Sequence, residues 1–296
     1  MWYPRGYWPS FTLPGVLMLA ALFVVPAYVV VSVAFGTVDF SNFGRPVPYY
    51  APWWWSFDTF NQTLSKFWGP EAIYQDALIR TFVYVIAASM ICLVLGYTVA
   101  YFTARKATKY KGLILILLVS PLWISYLMRI YAWQGLLDSG GPINVLLGPF
   151  GFRHTDLLSG LPITVIIGLV YGYIPFMILP IYASLDRIPE SLLEAGRDLG
   201  ASGGQTFWRV TLPMSRPAIL TGIVIVTLPM FGDYYTNDLL SQSPRTSMFG
   251  NLIATQKELL GGATRTASLV LILSVIVLLP MMYYLHETRR ASERAA

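Results

Sequence analysis

Residues 189–217 read PESLLEAGRDLGASGGQTFWRVTLPMSRP, a polar stretch lying between two long apolar runs. Pro189 suits the first turn of a helix, where its missing N–H has no role. Glu190, Glu194, Arg197 and Asp198 then fall at helical spacing on one polar face. Leu192, Leu193, Gly196 and Leu199 form the opposite, apolar side. Gly200 stands where a left-handed residue would close that helix. Ser202, Gly203 and Gly204 read as a turn, Gln205 to Thr211 as a second short helix, and Leu212-Pro213 as its end. The stretch predicts a helical hairpin at a membrane face, too polar to span the bilayer itself.

Around it the chain is built for lipid. Its 296 residues are 55% hydrophobic and 12% charged, with a mean hydropathy of +0.58. Soluble domains carry about 25% charged residues, so this composition is that of an integral membrane protein. A bilayer core takes roughly 20 apolar residues per helix. Six runs qualify, over about 11–35, 78–104, 112–133, 161–185, 217–231 and 267–285. The expected fold is therefore all-α, a polytopic protein with six transmembrane helices forming one domain over 1–296.

The first run is longer than a signal-peptide core, and only Arg5 precedes it, so it is read as a retained span. Ser32-Val33-Ala34 loosely resembles a cleavage site, which leaves removal open. Between the first two runs, Pro46, Pro48 and Pro52 exclude a regular helix, and Trp53-Trp54-Trp55 follow. Those indoles read either as an anchor at the headgroup level or as a contact patch for an external partner. Gly140 to Pro142 break the chain after the third run, and Ile143 to Leu147 read as a short interfacial segment.

Positive residues accumulate on the cytoplasmic side of membrane proteins. Here Lys and Arg gather in the N-terminus, the link Arg105 to Lys111, the polar stretch, and the tail with Arg289, Arg290 and Arg294. The other links are slightly acidic in sum. Both termini and residues 189–217 are thus expected in the cytoplasm, and the net charge of +5 is mainly a topology signal. Nucleic-acid binding does not follow from it.

Several chemistries are not supported. Cys92 lies alone inside an apolar run, and His154 and His286 have no neighbours with which to build a metal site. The chain contains no Gly-Lys pair, hence no phosphate loop of the Gly-Lys-Ser/Thr kind. No catalytic cluster is visible, and the expected role is transport rather than catalysis.

The polar stretch can be written E-A-G-x3-G-x9-V-x-L-P, from Glu194 through Gly200 to Val210, Leu212 and Pro213. It resembles the EAA loop of ABC-importer permeases, departing at Gly196 for Ala and at Val210 for Ile. Gly196 gives up about 1 kcal/mol of helix propensity relative to Ala while keeping the surface small for close docking. Pro121 to Trp133 (PLWISYLMRIYAW) with Gly141 to Asn144 looks like the third-span segment of the spermidine/putrescine type. Leu193 to Ser202 is similar to that branch's coupling loop. Leu228 to Leu240 (LPMFGDYYTNDLL) resembles the fifth-span exit of one of its permeases.

The resemblance implies a type I ABC-importer permease fold and a translocation subunit for polyamines such as spermidine and putrescine. It further implies a second related permease, two cytoplasmic ATPases that hold ATP and Mg, and an extracytoplasmic solute-binding protein, in a prokaryotic inner membrane. No cofactor is expected in this chain. Glu194, Ala195, Gly196, Asp198 and Gly200 become the expected ATPase-coupling residues. For the solute pathway the expected residues are Asp233, Tyr234, Tyr235, Asp238, Trp123 and Tyr126. Carboxylates would meet ammonium groups, and aromatic faces would hold cations and methylenes. Asp233 is equally readable as a helix cap or as the partner of Arg129 or Arg80. Arg129, inside the third run, is expected to be paired with an acid or to face headgroups; unpaired in the cavity, it would favour an anionic or zwitterionic solute. The nearest alternative is the same machinery carrying another cation, an amino-acid-like compound or a phosphonate. A secondary transporter, which often shows repeated broken spans in two halves, is a more distant one.

Overall fold

The computed structural model describes residues 7–39, 45–68, 72–107, 109–148 and 157–293. Arg5, His154 and Arg294 lie outside them, as do the side chains from residue 283 onward, which include His286, Arg289 and Arg290. The chain is overwhelmingly helical. Among the described residues, five helices are long and apolar enough to cross a membrane: Thr12–Ala34, Ile73–Arg105, Pro162–Arg187, Gly203–Phe231 and Gly262–Met282. A bent pair, Lys111–Trp123 with Tyr126–Leu146, makes a sixth if it is counted as one span.

Packing divides the chain into two compact units, Met1–Gln75 with Ile253–Ile276, and Asp76–Leu252 with Val277–Ala296. In the first unit, helix α1 (Tyr7–Ala34) leads into an antiparallel pair, β1 (Thr37–Asp39) and β2 (Arg45–Val47), and then into α2 (Asp58–Ser65). The end of α1 is built into this unit. Ser32 and Ala34 are buried; the Ser32 carbonyl accepts from Tyr49 N–H at 3.1 Å, and Ser268 Oγ donates to the Ala34 carbonyl at 3.4 Å. The tryptophan run divides. Trp55 stacks on Phe35 with ring centres 5.0 Å apart and donates its indole N–H to the Tyr49 carbonyl at 2.9 Å. Trp53 and Trp54 stay exposed, available to either of the two readings given for them.

The second unit holds the remainder of α3 (Ile73–Arg105), then α4 (Lys111–Val119), α5 (Tyr126–Leu137), α6 (Pro142–Leu147) and α7 (Pro162–Arg187). It continues through α8 (Glu190–Asp198), α9 (Gly203–Thr206), α10 (Leu212–Phe231) and α11 (Tyr235–Leu240); α12 (Phe249–Glu258) and α13 (Gly262–Glu293) are divided, their stretch Ile253–Ile276 belonging to the first unit. Helices α7 and α10 form its main packed pair. Buried Met177 of α7 is the knob between glycine holes. A Cβ on Gly96 of α3 would meet Met177 Cγ at 3.0 Å, and one on Gly222 of α10 would meet its Sδ at 2.7 Å. Small residues that admit a neighbour this closely are the usual glue of membrane helices.

Two expectations about helix ends are corrected. The third run is not one helix: residues Ser120–Trp123 tighten into a 3-10 turn, Ile124 is extended, and the two halves meet at a 94° bend. Pro121 lacks the N–H that would bond back and its ring crowds the preceding turn, so the break falls just beyond it. The fifth run begins earlier than Pro217, because α9 continues through Phe207–Thr211 into α10 as one helix, Gly203–Phe231. Pro213 does not end it. Residues Phe207–Thr211 adopt a π turn, which widens the backbone where the proline ring would otherwise strike the Arg209 carbonyl.

Helix α8 closes as its glycine predicts. Gly200 has φ +80°, its N–H donates to the Arg197 carbonyl at 2.8 Å, and Ala201 N–H reaches the Gly196 carbonyl at 3.1 Å. That pair of bonds is a Schellman closure. Ser202 opens the next helix with a capping box, its side chain accepting from Gln205 N–H while Gln205 accepts from Ser202 N–H. Gly196 faces inward, where a Cβ would sit 3.7 Å from the Thr206 side chain, an ordinary contact. Gly196→Ala is therefore expected to raise helix stability by up to about 1 kcal/mol. A thermal melt of the purified protein should be unchanged or shifted up by about 2 °C; a clear drop would show that the methyl displaces Thr206.

Candidate functional site

The polar hairpin and the segment after α10 are the two places where expected functional residues gather, and both belong to the second unit. On α8, Glu194, Ala195 and Asp198 are exposed, as is Gly200 just beyond it, while Leu193 and Gly196 are half-buried. Leu192 and Leu199, expected on the inner apolar side, are exposed instead, Leu199 at 89%. Leu199 at the closing turn thus turns an apolar side chain outward, away from the described residues. Glu190 in the first turn and Arg197 in the last complement the helix dipole. Asp198, at the negative end, opposes it at a cost of about 0.3–1 kcal/mol. The outward face of α8 thus combines carboxylates with an exposed leucine.

The second gathering centres on Asp233, which is 6% exposed. Its Oδ1 accepts from Thr236 N–H at 3.0 Å, capping the start of α11. Its Oδ2 accepts from Tyr126 Oη at 2.5 Å, Thr236 Oγ1 at 2.9 Å and Tyr173 Oη at 3.2 Å. Tyr126 Oη and Thr236 Oγ1 are also in hydrogen-bond contact. The Thr236 N–H, the Tyr173 hydroxyl and the paired hydroxyls of Tyr126 and Thr236, which share two protons among three contacts, thus engage both carboxylate oxygens, with no ion pair among the described residues. Neither suggested arginine pairs with it: Arg80 donates to the Ser247 carbonyl at 3.2 Å.

Arg129 is a correction. It is 93% buried by its 7% exposure, makes no ion pair among the described residues, and its Nε and one terminal nitrogen are buried without hydrogen-bond partners. The guanidinium carbon lies 5.4 Å from the Tyr126 ring centre, so a cation–π contact stands where an acid was expected.

The packing that assembles this cluster rests on two glycines one turn apart on α7. A Cβ on Gly172 would fall 2.7 Å from the Tyr126 ring, and one on Gly168 would fall 2.6 Å from the Thr236 methyl and 2.5 Å from Leu240. Both absences of a side chain let α5 and α11 close on α7. Tyr234 and Tyr235 stand together at the α11 start with ring centres 4.0 Å apart, half-buried and exposed respectively. Asp238 is exposed, and its Oδ1 accepts from Asn251 Nδ2 at 2.6 Å. Asn251, buried on α12, also donates to the Tyr234 carbonyl at 2.9 Å and accepts from Met248 N–H at 2.8 Å.

Of the six residues expected along the pathway, Asp233, Tyr234, Tyr235, Asp238 and Tyr126 come together. Trp123 does not: it is 75% exposed on the far side of the bend from Tyr126, so the two share no helix face. Thr236, Asn251 and Tyr173 join the cluster in addition to the expected residues. The Gly168-x3-Gly172 spacing was the available sign that α7 receives close neighbours.

Residues 76–291 match the family described as binding-protein-dependent transport system inner membrane component. The spermidine/putrescine transport system permease protein PotB of Escherichia coli (strain K12) is 32% identical over 272 residues, spanning 90% of this chain and 93% of its own. PotB of Haemophilus influenzae is 34% identical over 234 residues, 79% of this chain and 77% of its own. Among solved structures, a bacterial ABC transporter that imports the acidic polysaccharide alginate superposes with a TM-score of 0.72 at 19% identity, over 97% of this chain and 96% of that one. At that identity the likeness speaks to the fold.

Proposed function

We propose, starting from the fact that this chain belongs to the binding-protein-dependent transport family of inner membrane components, that it is the polyamine-translocating permease of an ATP-driven importer. The observation that carries the solute class is the 32% identity, over nearly the full length of both chains, to a relative named for spermidine and putrescine. In this reading the chain forms one translocation domain with both termini in the cytoplasm of a prokaryote. It works beside a second related permease, with two ATPases that hold ATP and Mg, and with an extracytoplasmic binding protein that delivers the solute. No bond in the solute changes; the protein alternates access.

Coupling falls to α8. Glu194 would meet the ATPase through a charge-assisted hydrogen bond, Leu199 would bury against it, Ala195 and Gly196 would keep the approach close, and Gly200 would hold the turn. Asp198, exposed one turn on from Glu194, offers a second carboxylate on the same face. On the solute side, Asp238, exposed and already accepting from Asn251 Nδ2, and the rings of Tyr234 and Tyr235 would receive ammonium and methylene. Asp233, with both oxygens already engaged, acts in this reading as the post that fixes α11 and Tyr126.

A second reading draws on one observation, the unpartnered guanidinium of Arg129. An amino-acid-like solute would supply a carboxylate for it and an ammonium for Asp238. Uptake of labelled putrescine, spermidine and amino acids by cells carrying the complete importer separates the two. Polyamine uptake that vanishes when the ATPase gene is deleted is the expected result. Polyamine uptake that survives the deletion overturns the ATP-driven reading, and amino-acid uptake alone overturns the solute class.

A further inference from the structure

A pocket of about 420 Å³ opens where the end of α3, the start of α4 and one face of α8 meet. Arg105, Lys106, Lys111 and Arg197 line it, against the single acid Glu190. Lys111 is ion-paired with Asp186 and lies over the Tyr182 ring. Arg105 donates to the Ile188 carbonyl at 3.0 Å, yet its Nε is buried with no hydrogen-bond partner. Lys106 and Arg197 are exposed and make no ion pair among the described residues. The pocket therefore has cationic donors in excess and one donor stranded, which is a demand for an acceptor carrying negative charge.

The surroundings say what kind of molecule carries that acceptor. Helix α4 reads KGLILILLV from Lys111, and Leu113, Ile116 and Leu117 are more than half exposed at 54%, 55% and 61%. Their i, i+3, i+4 spacing makes one apolar stripe that begins within a turn of the pocket. Tyr110, 61% exposed, stands at the junction between charge and stripe. A soluble anion has no use for the stripe. A lipid has use for both, and basic pockets beside membrane helices on the cytoplasmic side are where anionic headgroups are held.

We propose that this pocket takes the headgroup phosphate of an anionic phospholipid from the cytoplasmic leaflet, with an acyl chain lying along Leu113, Ile116 and Leu117. The inference rests on the bilayer-spanning orientation of α3 and α4 and is independent of which solute is moved. Because Glu190 and Arg197 belong to α8, a bound headgroup ties the coupling helix to the ends of α3 and α4. The lipid surface would then act directly on the element that receives motion from the ATPase.

The test is native mass spectrometry of the complete importer taken from nanodiscs of phosphatidylcholine doped with phosphatidylglycerol. Wild type is expected to retain phosphatidylglycerol over phosphatidylcholine. Lys106→Gln combined with Arg197→Gln is expected to lose about thirtyfold of that preference, the order set by two basic contacts at a membrane surface. Lys106→Arg combined with Arg197→Lys, which keeps the charge, should hold it and so separates lost binding from lost folding. Millimolar inorganic phosphate should leave the bound lipid in place. Equal phosphatidylglycerol retention by wild type and the Gln pair overturns the site. Displacement by inorganic phosphate overturns the lipid as its occupant.

Discussion

Glu194→Ala in the assembled importer is expected to leave basal ATP hydrolysis and complex assembly intact while lowering solute-stimulated hydrolysis by about tenfold or more. The magnitude follows from a hydrogen bond to a charged group, worth about 1.5–3 kcal/mol, made only when α8 is docked. Glu194 is exposed and makes no ion pair among the described residues, so its loss disturbs nothing inside the chain. Gly200→Leu tests the same element through its backbone. Nothing lies within 4 Å of a Cβ placed there, so no clash arises, but φ +80° is costly for any residue bearing a side chain, by about 1–2 kcal/mol. The closing turn and exposed Leu199 should move together. Stimulated ATPase activity of the purified complex, measured with binding protein and solute present, checks both. Wild-type stimulation in both variants would remove α8 from the coupling role.

How much of this was legible in the sequence differs by kind of interaction. The α8 turn was legible because everything it needs is local: Gly200 at the closing position, Gly196 and Arg197 carbonyls within one turn, and Ser202 with Gln205 to open the next helix. Pro213 misled because its effect depends on the turn before it; a π turn absorbs the ring that an α turn could not. Trp123 and Tyr126 part for the converse reason. Three positions apart, they would share a helix face only without the break that follows Pro121. The Asp233 cluster was half legible. Its neighbours Tyr234, Tyr235 and Asp238 were visible beside it, whereas Tyr126 and Tyr173 arrive from 107 and 60 residues away. No single sequence announces such a meeting. The apolar stripe of α7 carried only the two glycines that make room for it.

Arg129 shows where propensity and cost arguments stop. A buried cation calls for an acid on general grounds, yet Arg129 forms no ion pair with Asp233. Tyr126 serves both, giving its Oη to the carboxylate and its ring face to the guanidinium. One side chain thus touches both groups, tying the position of α5 to that of α11, while Arg129 Nε and one terminal nitrogen keep no hydrogen-bond partner.

Asp233→Ala should accordingly be the most destabilising of the substitutions considered. It removes the α11 cap, worth about 1 kcal/mol, and strands Tyr126 Oη, Tyr173 Oη and Thr236 Oγ1 in a buried site, where each lost partner costs about 1–3 kcal/mol. Tyr126 and Thr236 retain one another, so the sum is on the order of 3 kcal/mol rather than the full total. Asp233→Asn keeps the shape and an accepting oxygen for the Thr236 N–H but turns a donor toward the hydroxyls, and it should fall between the two. Asp238→Asn provides the contrast. The substitution keeps an Oδ1 that accepts from Asn251 Nδ2, so the protein should melt close to wild type while the KM for solute uptake rises several-fold, as expected for losing about 1 kcal/mol of a charge contact. The readouts are a thermal melt of the purified protein and uptake by the complete importer. A normal melt for Asp233→Ala together with abolished uptake would reverse the assignment, making Asp233 the solute's contact and not the post that fixes α11.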